Sequence, residues 1–292
     1  MSPPFSLDFG LQGSHVLVTG GCGLIGRVVV QAFLAAGANV SIIDLAESTR
    51  ALADSAEEAA LLGNAVIYTA DISQPDEVDI AFTHMEGKYG PVECCIALAS
   101  IDLSSLPQTE SICDMDPAVW QKVFDVNING TFLTCQRWLR GIRSASQDPE
   151  KASKLRNVNL VIMGSDSGRF GVRTMAAYAA GKAAVQYGLL QSLAKDVPKV
   201  YLRGRVNAVA PGAVDTARFR DECERFGKQW AWEEYEATVG MAKPPATEDV
   251  ARTFLFLASD AFSGSTHGQI IHVDGGKMGS VQWMPNEIDG RR

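Results

Sequence analysis

Residues 16–26 read Val16-Leu17-Val18-Thr19-Gly20-Gly21-Cys22-Gly23-Leu24-Ile25-Gly26. A short apolar run of buried-strand character passes into a glycine-rich turn. The apolar stretch beyond it, Leu24 to Ala36, has helix spacing and stops at Gly37, a natural residue for the position after a helix end. A strand, a glycine turn and a helix in that order bring backbone N–H groups and the positive end of a helix dipole to one place, where a pyrophosphate fits. Gly20 suits the tight turn, Gly23 the close approach of backbone to anion, and Gly26 the contact between helix and sheet.

The next apolar run supplies a second signal. Asp44 ends Ser41-Ile42-Ile43-Asp44, 18 positions beyond Gly26, where a carboxylate can accept hydrogen bonds from both ribose hydroxyls and repels a 2′-phosphate. No Arg or Lys occurs in the turn before Arg27, so the expected dinucleotide is NAD, with NADP less favoured. A helix cap or a solvated loop acid is the alternative for Asp44. Asp71, in Ala70-Asp71-Ile72, could receive the adenine amino group or be a simple turn acid.

Outward from this unit, apolar runs alternate with longer helix-like segments. The strand candidates are His15 to Thr19, Asn39 to Leu45, Ala65 to Ala70, Val92 to Leu98, Val158 to Met163, Arg205 to Ala210 and Gln269 to Val273. Continuous rather than alternating runs are expected where helices cover both faces of a parallel sheet. The expected fold is α/β, a Rossmann-type doubly wound parallel sheet of seven strands in a single domain. Thr247 is placed to cap a helix with Glu248 and Asp249 in its first turn. Ser144 to Asn157 is polar and reads as an exposed insertion, and Lys277 to Arg292 has no clear periodicity and reads as a tail or a lid.

The chain has 292 residues, 46% of them hydrophobic and 21% charged, and a formal net charge of −8. That is ordinary globular usage, and an acidic chain with scattered Lys and Arg excludes phosphate-backbone binding, so no nucleic-acid partner is expected. The six cysteines, at 22, 94, 95, 113, 135 and 223, have no CxxC spacing, and the four histidines, at 15, 84, 267 and 272, are not grouped with them. Reduced cysteines and no metal site are expected. No basic segment followed by an apolar run opens the chain and no uncharged stretch approaches membrane-spanning length, so a soluble, cytoplasmic protein with no membrane partner is expected.

Residues 163–182 carry the chemistry: Met-Gly-Ser-Asp-Ser-Gly-Arg-Phe-Gly-Val-Arg-Thr-Met-Ala-Ala-Tyr-Ala-Ala-Gly-Lys. Tyr178 and Lys182, four apart on a helix, share one face. An ammonium there is expected to stabilise phenolate and draw the tyrosine pKa down from about 10, making Tyr178 a usable acid or base. Ser165 leaves the end of a buried run, where its hydroxyl can meet a substrate oxygen. Asp166 and Arg169 beside it could add polar contacts to a substrate, though surface residues are the more ordinary reading.

Taken in order, Thr19-Gly20 through Gly26, Asp71, Asn127 in Val-Asn-Ile-Asn-Gly130, Ser165, Tyr178 with Lys182, Pro211-Gly212 through Thr216 and Val273-Asp-Gly-Gly276 resemble the short-chain dehydrogenase/reductase family, in its shorter single-domain branch. The resemblance spans residues 14–276, leaving 1–13 as an extension and 277–292 as a tail, with a substrate lid at about 215–247. It implies that Tyr178 donates or accepts the proton, Ser165 orients the oxygen, Lys182 binds the nicotinamide ribose and Asn127 supports a proton-relay water. It implies a cofactor set of Gly20, Gly23, Leu24, Ile25, Gly26, Asp44, Asp71, Ile72, Ala99, Tyr178, Lys182, Pro211, Gly212, Val214 and Thr216. The implied activity is NAD-dependent hydride transfer between nicotinamide and a small-molecule secondary alcohol or ketone. The lid's Phe219, Phe226, Trp230, Trp232 and Tyr235 suit a bulky or apolar substrate, or simply cover the core.

Three departures bear on these expectations. The glycine spacing is nearer that of the family's extended, nucleotide-sugar branch, which keeps a sugar-nucleotide epimerase or dehydratase as an alternative. Ile96-Ala97-Leu98-Ala99-Ser100 stands where the family usually has Asn-Asn-Ala-Gly, which keeps open a cofactor-binding regulator; a non-redox isomerase or cyclase on the same fold is a third alternative. Gly181 replaces the serine common before the lysine. The long helices expected at Ala118 to Arg143 and Thr174 to Val197 resemble those that form four-helix interfaces in the family, so a homotetramer or homodimer is expected.

Overall fold

The apolar runs become strands because helices cover both of their faces. The computed structural model describes residues 6–53, 56–107 and 109–289. Its strands are β1 (His15–Thr19), β2 (Asn39–Asp44), β3 (Val66–Thr69), β4 (Cys94–Ala97), β5 (Asn159–Met163), β6 (Arg205–Pro211) and β7 (Ile270–Val273). They form one seven-stranded sheet in the order β3-β2-β1-β4-β5-β6-β7, and every neighbouring pair is parallel. Side chains alternate across it. From β1, Val16 and Val18 join Val29, Phe33 and Phe254 in one core, and Leu17 joins Phe82, Trp138 and Leu160 in the other.

Six helices matter to the site. They are α1 (Leu24–Ala35), α2 (Pro75–Tyr89), α3, α4, α5 (Ala217–Ala231) and α6 (Thr247–Ala258). Helix α3 runs from Pro117–Phe124 through a π turn at Asp125–Gly130 into Thr131–Gln147, and α4 from Ala176–Ala183 through a π turn at Ala184–Leu189 into Leu190–Val200. Helix α1 packs beside β1 and α6. Because β1 lies between β2 and β4, the chain changes direction across the sheet there, and a crevice opens beyond the carboxyl ends of these strands.

Several local expectations change. Ala246 rather than Thr247 caps α6. Residues 144–157 are not a simple exposed insertion: α3 continues to Gln147, Asp148 caps a short helix at Pro149–Ala152, and Leu155 and Asn157 are buried. Asn157 bonds Gly10 O, Ser14 Oγ and the Asp260 N–H, tying the region to the chain start. Leu11 is buried, so residues 9–13 of the expected extension pack on the body; residues 1–5 lie outside the described residues.

The C-terminal stretch also docks, as far as it is described, to residue 289. The Met278 N–H donates to Thr238 O and the Gln282 N–H to Ala237 O. Trp283 Nε1 donates to Val239 O at 3.1 Å, and Trp232 Nε1 donates to Trp283 O at 3.0 Å. Residues 277–284 therefore pack on the segment expected to be a lid, whose helix α5 breaks at Gly227 (φ 83°) before a π turn at Trp232–Glu236. No described helix is long and apolar enough to cross a membrane, and the described residues contain no group of three or more His, Cys, Asp or Glu able to hold a metal.

Candidate active site

At the carboxyl end of β1 the glycines do three different jobs. Gly20 has φ 72°, and a Cβ there would lie 2.8 Å from the Ala99 Cα, so Ala99 packs directly on the turn. A Cβ at Gly26 would collide with the Gly20 carbonyl oxygen. Gly23 is the N-cap of α1 and no side chain caps that helix. The N–H groups of its first turn, at Leu24, Ile25 and Gly26, therefore face the crevice without an intrahelical acceptor, a cradle for an anion.

Asp44 is buried at the end of β2. Its Oδ2 accepts the Cys22 N–H and its Oδ1 the Leu45 N–H, both at 2.8 Å. Each oxygen keeps a further lone pair, so the carboxylate is fixed beside the glycine turn while still able to accept ribose hydroxyls. Asp71 is held differently: its Oδ1 accepts the Ser73 N–H at 2.8 Å, a turn contact, and its own N–H donates to Glu77. Ile72 is buried against Gly130, where a Cβ would meet its side chain at 2.8 Å. These residues fit a dinucleotide.

Across the crevice, Ser165 leaves β5, with its N–H donating to Gln186 Oε1 at 2.9 Å. Its Oγ donates to Asp166 Oδ1 at 3.2 Å and accepts the Ser167 N–H at 3.1 Å. Tyr178 and Lys182, both buried on α4, lie with the ammonium 5.6 Å from the ring centroid. Lys182 Nζ donates to Ser100 Oγ at 3.2 Å and Met163 O at 3.1 Å. Burial, offset in part by Asp102, lowers the Lys182 pKa to about 8.

The expected lowering of the Tyr178 pKa is absent in the free protein. Burial, then the Asp102 and Asp166 carboxylates, push it well above the phenol value, against the lowering effect of a hydrogen bond shared with Ser165.

Asn127 is buried in the π turn of α3. Its Nδ2 donates to Ile101 O at 3.1 Å and its Oδ1 accepts the Ile101 N–H at 2.7 Å, so both ends of the amide hold the loop after β4. Where the family usually carries asparagines in that loop, Thr19 Oγ1 accepts the Leu98 and Ala99 N–H groups instead. A Cβ at Gly181 would sit 3.6 Å from the Asn127 Cβ, ordinary contact, so glycine there is not forced. After β6, the Gly212 N–H donates to Val273 O, Val214 is buried, and Thr216 Oγ1 caps α5 by accepting the Phe219 N–H at 3.1 Å.

Some participants were not expected. Asp166 is buried rather than on the surface, and its Oδ2 lies 2.8 Å from Lys277 Nζ. Arg218 on the lid reaches Asp102 at 3.3 Å and Ser104 at 3.0 Å. Glu234, half-buried near Lys277, has its pKa raised by burial. The only sequence signal for Ser100 was its place at the end of the departure from Asn-Asn-Ala-Gly.

Residues 23–277 match the family model described as enoyl-(acyl carrier protein) reductase. The chain is 32% identical over 272 residues to sorbose reductase of Schizosaccharomyces pombe, spanning 92% of this chain and 97% of that enzyme. It is 33% identical over 269 residues to 3beta-hydroxysteroid dehydrogenase 1 of Eggerthella lenta, spanning 91% and 94%. The crystal structure of a short-chain type dehydrogenase/reductase from Mycobacterium marinum superposes with a TM-score of 0.73 at 26% identity, over 92% of this chain and 96% of that one. On likeness that runs over more than nine-tenths of its length, the chain belongs to the short-chain dehydrogenase/reductase family and is an oxidoreductase acting on an alcohol or ketone group.

Proposed function

We propose that the protein uses NAD to interconvert a secondary alcohol and a ketone, with Tyr178, Ser165 and Lys182 at the reacting oxygen. The observation that carries the cofactor choice is Asp44, locked by the Cys22 and Leu45 N–H groups at the end of β2. A 2′-phosphate would bring a second anion against this buried carboxylate. When bound, the nicotinamide supplies or takes the hydride. The N-terminal turn of α1 would hold the pyrophosphate, Asp44 the adenosine ribose, Asp71 and Ile72 the adenine edge, and the Pro211–Thr216 loop with Lys182 the nicotinamide end.

In reduction, Tyr178 gives its phenolic proton to the oxygen as negative charge develops there, and in oxidation it takes that proton back. Ser165 donates a hydrogen bond to the same oxygen and fixes its position. Lys182, held by Ser100 and Met163 O, places its ammonium where phenolate forms. Asn127 shapes this wall by pinning the loop at Ile101 and supports the proton relay through the π turn.

A cavity of about 270 Å³ adjoins the start of α4, lined mostly by apolar side chains including Leu106, Met115, Val119 and Met175. Ser165, Tyr178 and Lys182 do not line it, so it supports a bulky, apolar substrate body only through its place beside Ala177, next to Tyr178. The lid aromatics support it less directly, because Phe219 meets Tyr235 edge-on and Phe226 packs on Trp230. Exposed Trp120, Phe132 and Tyr187 on α3 and α4 support a homodimer or homotetramer, and the absence of an apolar spanning helix among the described residues is consistent with a cytoplasmic place.

Separate titrations of NADH and NADPH, followed by nicotinamide absorbance with a panel of bulky ketones and secondary alcohols, test the reading. Tighter NADH binding and turnover that disappears in Tyr178→Phe while NADH still binds are expected. Tighter NADPH overturns the role of Asp44, and turnover that survives in Tyr178→Phe overturns that of the tyrosine.

A further inference from the structure

Hydride transfer as described makes no use of the ion pair beside the serine. Asp166 is buried, and its N–H donates to Pro211 O at 2.8 Å, so it sits between Ser165 and the nicotinamide-side loop. Its two oxygens face different partners. Oδ1 accepts from Ser165 Oγ at 3.2 Å and from Ser167 Oγ at 3.3 Å. Oδ2 has no hydrogen bond but lies 2.8 Å from the Lys277 ammonium. Lys277 is the first residue of the segment that docks on the lid, bridged to Val239.

A serine hydroxyl has one proton to give. In the free protein Ser165 gives it to Asp166, while its oxygen accepts the Ser167 N–H at 3.1 Å. To orient a substrate oxygen, the same proton must swing away from a buried carboxylate. A carboxylate with no counter-charge would hold it strongly. Lys277 draws the negative charge towards Oδ2 and leaves Oδ1 a weaker competitor.

We propose that Lys277 is a positioning residue for hydride transfer, acting through Asp166 to release the Ser165 proton to the substrate oxygen. This rests on the alcohol/ketone reading of Ser165 and Tyr178. It makes the C-terminal segment part of the active site: with the lid and residues 277–284 docked, the ammonium is in place.

Steady-state kinetics on the full chain test it, with NADH and, as probes, L-sorbose, a 3-oxosteroid and the bulky-ketone panel. Lys277→Met is expected to lower kcat about tenfold, with KM changed less than about threefold and NADH affinity unchanged. Lys277→Arg is expected to recover most of the rate, and Asp166→Asn/Lys277→Met to return it to within about threefold of wild type, because the competing charge has gone. The decisive comparison is made in Ser165→Ala, where no hydroxyl remains to be released and Lys277→Met should cost nothing further.

An equal loss in that background, or failure of the double variant to recover, overturns the role. Melting curves accompany each variant, and Lys277→Gln serves in place of Lys277→Met should the latter fail to fold. No wild-type turnover on any probe, with NADH bound, overturns the hydride-transfer reading and the role of Lys277 with it. Wild-type turnover without the Lys277 effect overturns the second alone.

Discussion

The proposed choice of NAD rests on a single carboxylate. Asp44 is held by two backbone N–H groups at 2.8 Å, so its position is set before any ribose arrives. Asp44→Ala is expected to weaken NADH binding about tenfold or more, the scale of one charge-assisted hydrogen bond, and to narrow or reverse the preference over NADPH, read by fluorescence titration with each cofactor. Lys182 gives a pH signature. Its pKa lies near 8 in the free protein, so the ammonium is present below that pH and lost above it. The value of kcat/KM for ketone reduction is expected to fall as pH rises through about 8, because kcat/KM reports the free enzyme; a flat profile between pH 7 and 9 would remove Lys182 from the charge stabilisation. At this scale Asp44, Ser165, Tyr178 and Lys182 were legible because each stands at a strand end or at helix spacing within a short stretch. Lys277 was not: it meets Asp166 only through the folded chain, and no periodicity joins them. The direction of the Tyr178 shift was misread for a related reason, since it comes first from burial of the ring in the folded chain and then from the carboxylate of Asp102, on another loop.

Among the elements, strands were the most legible and helix details the least. Runs such as Leu160 to Met163 are buried on both faces, so continuous hydrophobicity was a faithful signal. The π turns at Asp125–Gly130 and Ala184–Leu189 left no trace in spacing. They depend on tertiary contacts such as the Asn127 amide on Ile101. Polar residues 144–157 were misread because their buried members, Ala145, Leu155 and Asn157, are isolated among more exposed ones. Two predictions belong here. Gly26→Ala forces a Cβ into the Gly20 carbonyl, where β1 meets α1 and neither backbone can retreat without breaking the turn. A stability loss on the order of 3 kcal/mol and loss of NADH binding are expected, measured by urea unfolding and titration; a variant as stable as wild type would mean that the turn relaxes. At the other end of β1, buried His15 bonds Gly90 O and Ser41 Oγ at 2.8 Å. Burial lowers its pKa from 6.5 to about 4, against the raising effect of the Gly90 and Pro91 backbone. Between those values the unfolded chain binds the proton and the folded one does not, so stability rises with pH through the window and is lost as pH falls from 6.5 towards 4. The shift corresponds to about 3 kcal/mol. Denaturant midpoints at successive pH values should show this loss in wild type and a much smaller one in His15→Gln.

At the scale of the whole molecule, the sheet buries both faces within one chain, yet the two helices flanking the catalytic wall leave large aromatics in water. Trp120 stacks on Phe124 at 4.5 Å and is still 36% exposed, while Phe132 on α3 and Tyr187 on α4 are each 43% exposed. Scattered exposed apolar residues need no explanation, but three large rings on two packed helices are what the proposed self-association would cover. These helices carry Asn127 and Tyr178, so pairing there would stiffen the elements that place the proposed proton donor. Sedimentation velocity should therefore show a dimer or tetramer in wild type. Phe132→Glu and Tyr187→Glu together should shift the protein towards monomer, since burying two carboxylates in an apolar interface costs several kcal/mol. Turnover is expected to fall with the loss of assembly more than NADH affinity does, because the cofactor cradle at α1 and β2 lies on the other side of the switch point. A wild-type monomer at micromolar concentration would show that this surface is not a self-association face, and an assembled double variant would place the interface elsewhere.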